Sequence, residues 1–417
     1  MTYTAWKKRR RRRAAIVAIA VCATAGMLAT TVASAEPTDA PGVAQPAGFH
    51  LLKRNFGLAP GSGFLLDEVR LPAGLNDLKA LGVHWIRSTI PWQNFQPTDP
   101  NRLPAGAPQY NWKSVDRFVA QVHQPQYAGR FAFIITVDNP PPWAKVPSRI
   151  ARIPCPMQAP FDLASYARAT AALASHLRTT AHVFEVENSP NIGKRGPTHT
   201  NPVATWPVPN PCGYARLLKL TTPAVHAMKV GATVLVGGIG GVQDIPQQRM
   251  SADRFLAALY ANGARGAFDG VSFHPYSTPF LPCAPTAPIC VYNPHTSKTD
   301  RYGMKNGWDR MLNARRIMVA NGDAAKRIWI TEYGGPTSGP RGSIQVLSEV
   351  QQSALLTAGF QRASQYPWVA MISWFTYADD GGNPQSSPNG SWMGLLRADR
   401  SRKPAYATYQ HLSAIAS

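Results

Sequence analysis

No internal repeat runs through this chain, and no second low-complexity segment follows its N-terminal stretch. Repeat arrays are set aside by that absence. No histidine or second cysteine stands at metal-ligand spacing from any cysteine, which makes a metal centre the weaker account of the cysteines. Nor is any basic cluster interleaved with aromatic residues as in a nucleic-acid module, although 43 Lys and Arg face only 22 Asp and Glu. Nucleic acid is therefore not an expected partner.

What is present suits a sizeable core. The 417 residues are 44% hydrophobic and 10% aromatic, enough for one large barrel or two small domains. Residues 1–35 read as an export signal. Lys7, Lys8 and Arg9 to Arg13 form a basic start, an Ala-rich apolar stretch runs from Ala14 to Val32, and Ala33-Ser34-Ala35 offers a cleavage site. The stretch is long enough to span a bilayer, so a retained anchor is the rival reading. Its Ala and Thr content makes it only mildly hydrophobic, which favours cleavage. Lipidation at Cys22 is rejected because Val21 is too bulky for the residue before such a cysteine. Residues 36–50 are expected to be a flexible lead-in, and residues 51–417 the folded part. The expected location is the cell envelope or the exterior, with no membrane role beyond export.

The signal carries seven of the 43 basic residues and no acidic one, so 36 basic residues still face 22 acidic ones. Such a surface would be drawn to anionic polysaccharides of the envelope, or it simply keeps the protein soluble. Four cysteines remain after the signal: Cys155, Cys212, Cys283 and Cys290. An even number in an exported chain favours disulfides. Cys283 and Cys290 share a Pro-rich loop and are expected to pair locally, which leaves Cys155 to join Cys212.

Short apolar β-rich runs alternate with helical patterns, the mark of parallel βα units. Eight strands are expected at Arg54–Gly57, Trp85–Ser88, Phe131–Thr136, Val183–Val186, Thr233–Gly237, Gly270–Phe273, Arg327–Thr331 and Val369–Phe375. Helices are expected at Phe161–Thr179, Tyr214–Val230, Ala252–Asn262, Asn306–Asn321, Leu347–Tyr366 and Ala405–Ala414. In the first of these, Leu163, Tyr166, Leu173 and Leu177 share one face, with Thr170 its polar interruption. The fold class this implies is α/β, a single (β/α)8 barrel, whose chemistry sits on the loops after the strands. Polar and aromatic residues gather there: Arg87 and Trp92, Asp138, Asn139 and Trp143, Asn188, His274 and Tyr276, Glu332, then Trp374, Tyr377 and Asp379.

Two segments stand out. Phe184-Glu185-Val186-Glu187-Asn188-Ser189-Pro190-Asn191 and Trp329-Ile330-Thr331-Glu332-Tyr333-Gly334 resemble the two catalytic strand ends of retaining glycosidases. With Gly82 to Arg87, Pro91-Trp92, Asp269 to Tyr276, Ile372 to Phe375 and Gly394 to Tyr406, the chain resembles a clan A glycoside hydrolase over about residues 52 to 415. It is most similar to the xylosidase/iduronidase-like and cellulase-like families of exported bacterial proteins. The resemblance implies a carbohydrate substrate, no cofactor and no metal. It implies Glu332 as nucleophile, with Arg87 and Tyr276 beside it, since an ionised nucleophile calls for cationic or hydrogen-bonding neighbours. It further implies Asn188 on the hydroxyl next to the anomeric carbon and Trp374 as a stacking floor, with Trp92, Asn139, Ser189 and His274 also lining the substrate site.

Ser189 departs from the pattern, standing where these enzymes carry the acid/base glutamate. A hydroxyl cannot donate a proton near neutrality, and losing such help costs on the order of 10²–10⁴-fold. Three explanations follow. Another carboxylate stands in: Glu187, where relatives usually have Trp, with Asp138 and Asp379 as further possibilities, whereas Glu185 reads as a structural group inside the barrel. Alternatively, the substrate has a leaving group that needs no acid. In the third, hydrolysis is lost and the cleft binds glycans.

Overall fold

Eight strands close into a parallel barrel in chain order, each bonded to the next and the last to the first. The computed structural model describes residues 53–146, 159–193, 205–282, 307–341, 345–385 and 389–416. The strands are β1 (Phe56–Ala59), β2 (Trp85–Thr89), β3 (Ala132–Val137), β4 (Val183–Asn188), β5 (Thr233–Gly240), β6 (Gly270–His274), β7 (Arg327–Tyr333) and β8 (Val369–Phe375). Around them run α1 (Leu71–Ala80), α2 (Trp92–Phe95), α3 (Lys113–Val122), α4 (Leu163–His176), α5 (Pro211–His226), α6 (Ala252–Ala261), α7 (Gly307–Ala320), α8 (Glu349–Ser364) and α9 (Pro404–Ile415). The protein is a single (β/α)8 barrel.

Each expected strand is found, most of them one to three residues longer at the C-terminal end. The first is shifted instead, because Lys53–Asn55 form a 3-10 turn and pairing starts at Phe56. All four residues of β1 are buried, so the strand shows no in–out alternation from which its ends could be read. The helices sit within a few residues of their expected bounds. Asp162 caps α4 by accepting from the Ser165 amide, and Ser348 with Gln351 forms a reciprocal capping box on α8. Thr170 lies buried on the apolar face of α4, its hydroxyl turned back onto the Tyr166 carbonyl at 2.9 Å.

The main core fills the space between strands and helices. A second cluster of Ile134, Val183, Leu235, Ala370 and Met371 plugs the barrel from within, backed by Trp85 and Trp329 in edge contact. These residues lie at or near the N-terminal ends of their strands, so the plug leaves the opposite mouth to polar side chains.

The export signal, the lead-in, Cys155, Cys283 and Cys290 lie outside the described residues. Cys212, in the first turn of α5, is not a free thiol. Among the described residues no helix is long and apolar enough to cross a membrane.

Candidate active site

Arg87, at the centre of β2, organises the mouth. Its Nε and Nη2 donate to one oxygen of Glu185 at 2.8 and 2.6 Å. Nη2 also donates to Asn188 Oδ1 at 2.7 Å, and Nη1 donates to Glu332. Strands β2, β4 and β7 thus meet at one guanidinium. Burial alone would lower its pKa, but Glu185 and Glu332 outweigh burial and raise it.

Glu185 is fully buried and fully engaged. Besides Arg87 it accepts from Thr136 at 2.6 Å and from Thr331 at 3.0 Å. Desolvation pushes its pKa up, yet Arg87, His274 and Thr136 together bring it below the ordinary value. It is a structural carboxylate, as its place in the sequence pattern implied.

Glu332 is the carboxylate of this cluster that reaches solvent, its side chain 12% exposed. Tyr276 donates to Oε2 at 2.9 Å, and His274 Nδ1 lies 3.4 Å from the same oxygen. Burial, reinforced by Glu332, holds the Tyr276 phenol well above its usual pKa, so it stays a donor. Burial lowers the His274 imidazole. Thr331 gives its single hydroxyl proton to Glu185, so His274 Nε2 donates to Thr331 across 3.1 Å. The ring fits because Gly238 on β5 has no side chain: a Cβ there would lie 2.0 Å from His274 Nε2.

The ends of β3 and β4 are irregular. Asn139, Glu187 and Ser189 all have positive φ, at 50°, 62° and 47°, a conformation that non-glycine residues rarely adopt without support. Two tyrosines brace the backbone here, one of them at Glu187 itself. Tyr166 of α4 donates to the Val137 carbonyl at 2.6 Å and accepts from the Glu187 amide at 3.2 Å. Tyr214 of α5 donates to Val186 at 2.6 Å and accepts from Gly237 at 2.7 Å.

This backbone course corrects the expectation for Glu187. The side chain is fully buried, and neither carboxylate oxygen has a hydrogen-bond partner. Thr205 approaches closely enough to oppose the shift slightly, but burial and the neighbouring Asp138 push the Glu187 pKa far up. A neutral, enclosed carboxyl whose charged neighbour is Asp138, not Arg87 or Glu332, is not presented to a substrate.

Asp138, one residue beyond β3, is different. It is 5% exposed and accepts from the Asn139 side chain at 2.8 Å, and Asn139 itself is exposed at the mouth. Burial raises its pKa to about 7 against the pull of Arg87 and Asn139. Asp379 does not reach the cluster: it is buried and bound to Lys403 at 2.8 Å and to the Gly394 amide at 2.8 Å.

Two aromatic expectations are also corrected. Trp92 is fully buried among Trp143, Phe161 and Tyr166, its indole donating to Gln96 at 2.7 Å. Trp374 is fully buried against Tyr333 and donates to the Met393 carbonyl at 3.0 Å. Neither offers a face to a sugar. The half-buried aromatic at the end of β8 is Phe375, which alternation along the strand could have suggested. Asn188 and Ser189 lie half-buried at the mouth. Among the described residues no group of three or more His, Cys, Asp or Glu is arranged to hold a metal ion.

No protein-family model and no curated protein matches the chain. Solved structures do. A family 39 glycoside hydrolase from Bacteroides cellulosilyticus WH2 is 18% identical with a TM-score of 0.57, covering 87% of this chain and 64% of its own. A monomeric beta-xylosidase from Caulobacter crescentus CB15 is 18% identical with a TM-score of 0.58, covering 89% of this chain and 70% of its own. A family 5, subfamily 18 enzyme from Streptomyces cattleya, solved with GlcNAc, is 16% identical with a TM-score of 0.56, covering 88% and 80%. The chain thus shares its (β/α)8 fold with these glycoside hydrolases, and it spans 64% of the length of the Bacteroides protein.

Proposed function

We propose that the protein is an exported glycoside hydrolase that cleaves O-glycosidic bonds with retention, using Glu332 as nucleophile. The observation that carries this reading is the hold on Glu332, which takes Arg87 on one oxygen and Tyr276 on the other while its side chain stays open to solvent. Such a carboxylate is oriented and accessible, as attack on an anomeric carbon requires. Asn188 turns its carbonyl to Arg87, leaving its amide N–H groups for the neighbouring sugar hydroxyl. Asn139 would donate at the rim, and Ser189 would line the floor.

For the acid/base we assign Asp138. A group titrating near 7 can give a proton to the leaving oxygen and later take one from water. In the first step Glu332 attacks the anomeric carbon, the glycosidic bond breaks, and the Asp138 proton passes to the leaving alcohol. In the second, water attacks the glycosyl ester, its proton returns to Asp138, and Glu332 is released. Export and the Cys155–Cys212 and Cys283–Cys290 disulfides belong to the same proposal.

The test is turnover of a panel of aryl glycosides by the mature protein, with Glu332→Gln as control. Turnover that vanishes in the control while the melting curve is kept supports the reading. Turnover equal to wild type in that variant ends it.

A further inference from the structure

A groove of about 1020 Å³ lies beside the Glu332 cluster on the catalytic face, where the ends of β1 and β8 lead into their loops. It begins at Phe375 and Thr376, passes Pro60 and Gly61, and runs out along α1 to Asp77. No residue of the cluster lines it, and its inner end approaches the cluster across the β7–β8 seam. Gly334, two residues after Glu332, packs so tightly on the Phe375 carbonyl that a Cβ there would lie 2.1 Å from it.

The volume lies at the upper end of the roughly 300–1,000 Å³ that small-ligand pockets occupy, so a single sugar would leave most of it empty. Half-buried aromatic rings line it: Phe375, then Phe64 and Tyr377 in edge contact at 6.1 Å. Val69 adds apolar surface at 89% exposure. Rings that keep a face toward water, with polar groups between them, suit ligands that alternate apolar faces and hydroxyl edges.

The charge of the lining is the unexpected part. The chain as a whole is strongly basic, with a formal net charge of +21, yet the groove is not. Asp67 pairs with Arg70 and Asp379 with Lys403. Asp77 accepts from the Tyr377 hydroxyl, and Asp380 and Arg400 both line the groove. Once the pairs are matched the lining is close to neutral, and a polyanion would find no surplus of cations here.

We propose that this groove seats further units of an uncharged glycan whose scissile bond lies at Glu332. The inference rests on the glycosidase reading and deepens it: the substrate is an oligomer or polymer, and it is neutral despite the basic surface. Affinity then grows with chain length through the groove, independently of turnover.

The experiment measures binding to Glu332→Gln by calorimetry. The probes are neutral β-1,4-linked xylo-, gluco- and manno-oligosaccharides of one to six units, with oligogalacturonides as the anionic arm. For one neutral series, affinity should rise at least tenfold between one unit and four, and Glu332→Gln/Tyr377→Ala should lose that rise. Ser62→Trp, a bulky change on the exposed β1 loop, serves as a second groove variant should Tyr377→Ala fail to fold. Affinity that stays flat with length, no binding of any neutral series, or tighter binding of the anionic one overturns the proposal. Wild-type turnover of aryl monoglycosides is read separately. Its absence alongside length-dependent binding would end hydrolysis and leave the groove standing.

Discussion

Arg87 directs two N–H groups onto a single oxygen of Glu185, at 2.8 and 2.6 Å, and so fixes the guanidinium from which Glu332 is held. Replacing Glu185 would leave a buried cation without its principal partner. Breaking such a pair costs about 3–5 kcal/mol. Glu185→Gln should therefore lower the urea midpoint and activity together, whereas Glu332→Gln should remove activity alone.

Asp138 titrates at about 7 because burial disfavours its charge. If it is the proton donor, kcat/KM on substrates with poor leaving groups falls as pH rises through about 7. Asp138→Asn should abolish that limb and cost on the order of 10²–10⁴-fold. Substrates with good leaving groups should lose far less. Equal losses on both would point to a structural role.

Two buried acids make stability depend on pH. Asp138 and Glu187 both have folded-state pKa values raised above their ordinary ones. At these two sites the folded state binds more protons than the unfolded state, so their contribution to stability declines as pH rises from the ordinary carboxylate range through about 7, while the lowered imidazoles of His84 and His274 act in the opposite sense. Glu187→Gln removes a buried group that resists ionisation. Its melting temperature should match or exceed that of wild type at pH 8, and the difference should shrink toward pH 4.

Gly238 is a point of steric control. An alanine Cβ would lie 2.0 Å from His274 Nε2, so the imidazole must leave Thr331 and withdraw from Glu332. Gly238→Ala should lower kcat by about 10²-fold, the scale associated with a misplaced active-site group. A fully active, normally folded variant would show that the His274 position is immaterial to turnover.

Trp374 and Phe375 should separate cleanly. Trp374→Phe removes one of two donors from the Met393 carbonyl, which keeps the Thr376 amide at 3.1 Å, and should cost about 0.5–1.5 kcal/mol of stability with KM unchanged. Phe375→Ala should raise KM for oligosaccharides more than for aryl monoglycosides. Steady-state kinetics paired with chemical denaturation reads both.

The barrel was legible in the sequence because its eight apolar strands are separated by helices of clear period, and Glu332, Arg87 and Tyr276 fall at strand ends that topology must bring together. Side-chain direction was less legible. Glu187 looked like a relocated acid, but the positive φ at 187 turns it away from the cluster, and no local pattern announces such a turn. The pattern places Trp374 as a stacking floor and Trp92 in the lining of the site, yet a Trp at or just beyond a strand end can face the core or the mouth, and only packing decides. The unpaired state of Glu187 and the near-neutral lining of the groove depend on residues distant in the chain, which no window along the sequence contains.

Tyr166 and Tyr214 have a consequence beyond support. Each hydroxyl accepts from one strand while donating to a carbonyl, standing in for the peptide group that a regular ladder would place there. At their C-terminal ends the seams from β3 to β5 are therefore braced by side chains of the outer helices. Any shift of α4 or α5 would be transmitted to the strand ends that bear Asp138, Asn188 and Ser189. On this side the outer helices are tied to the strand ends by four hydrogen bonds, so a substitution that displaces either tyrosine removes a brace from the mouth.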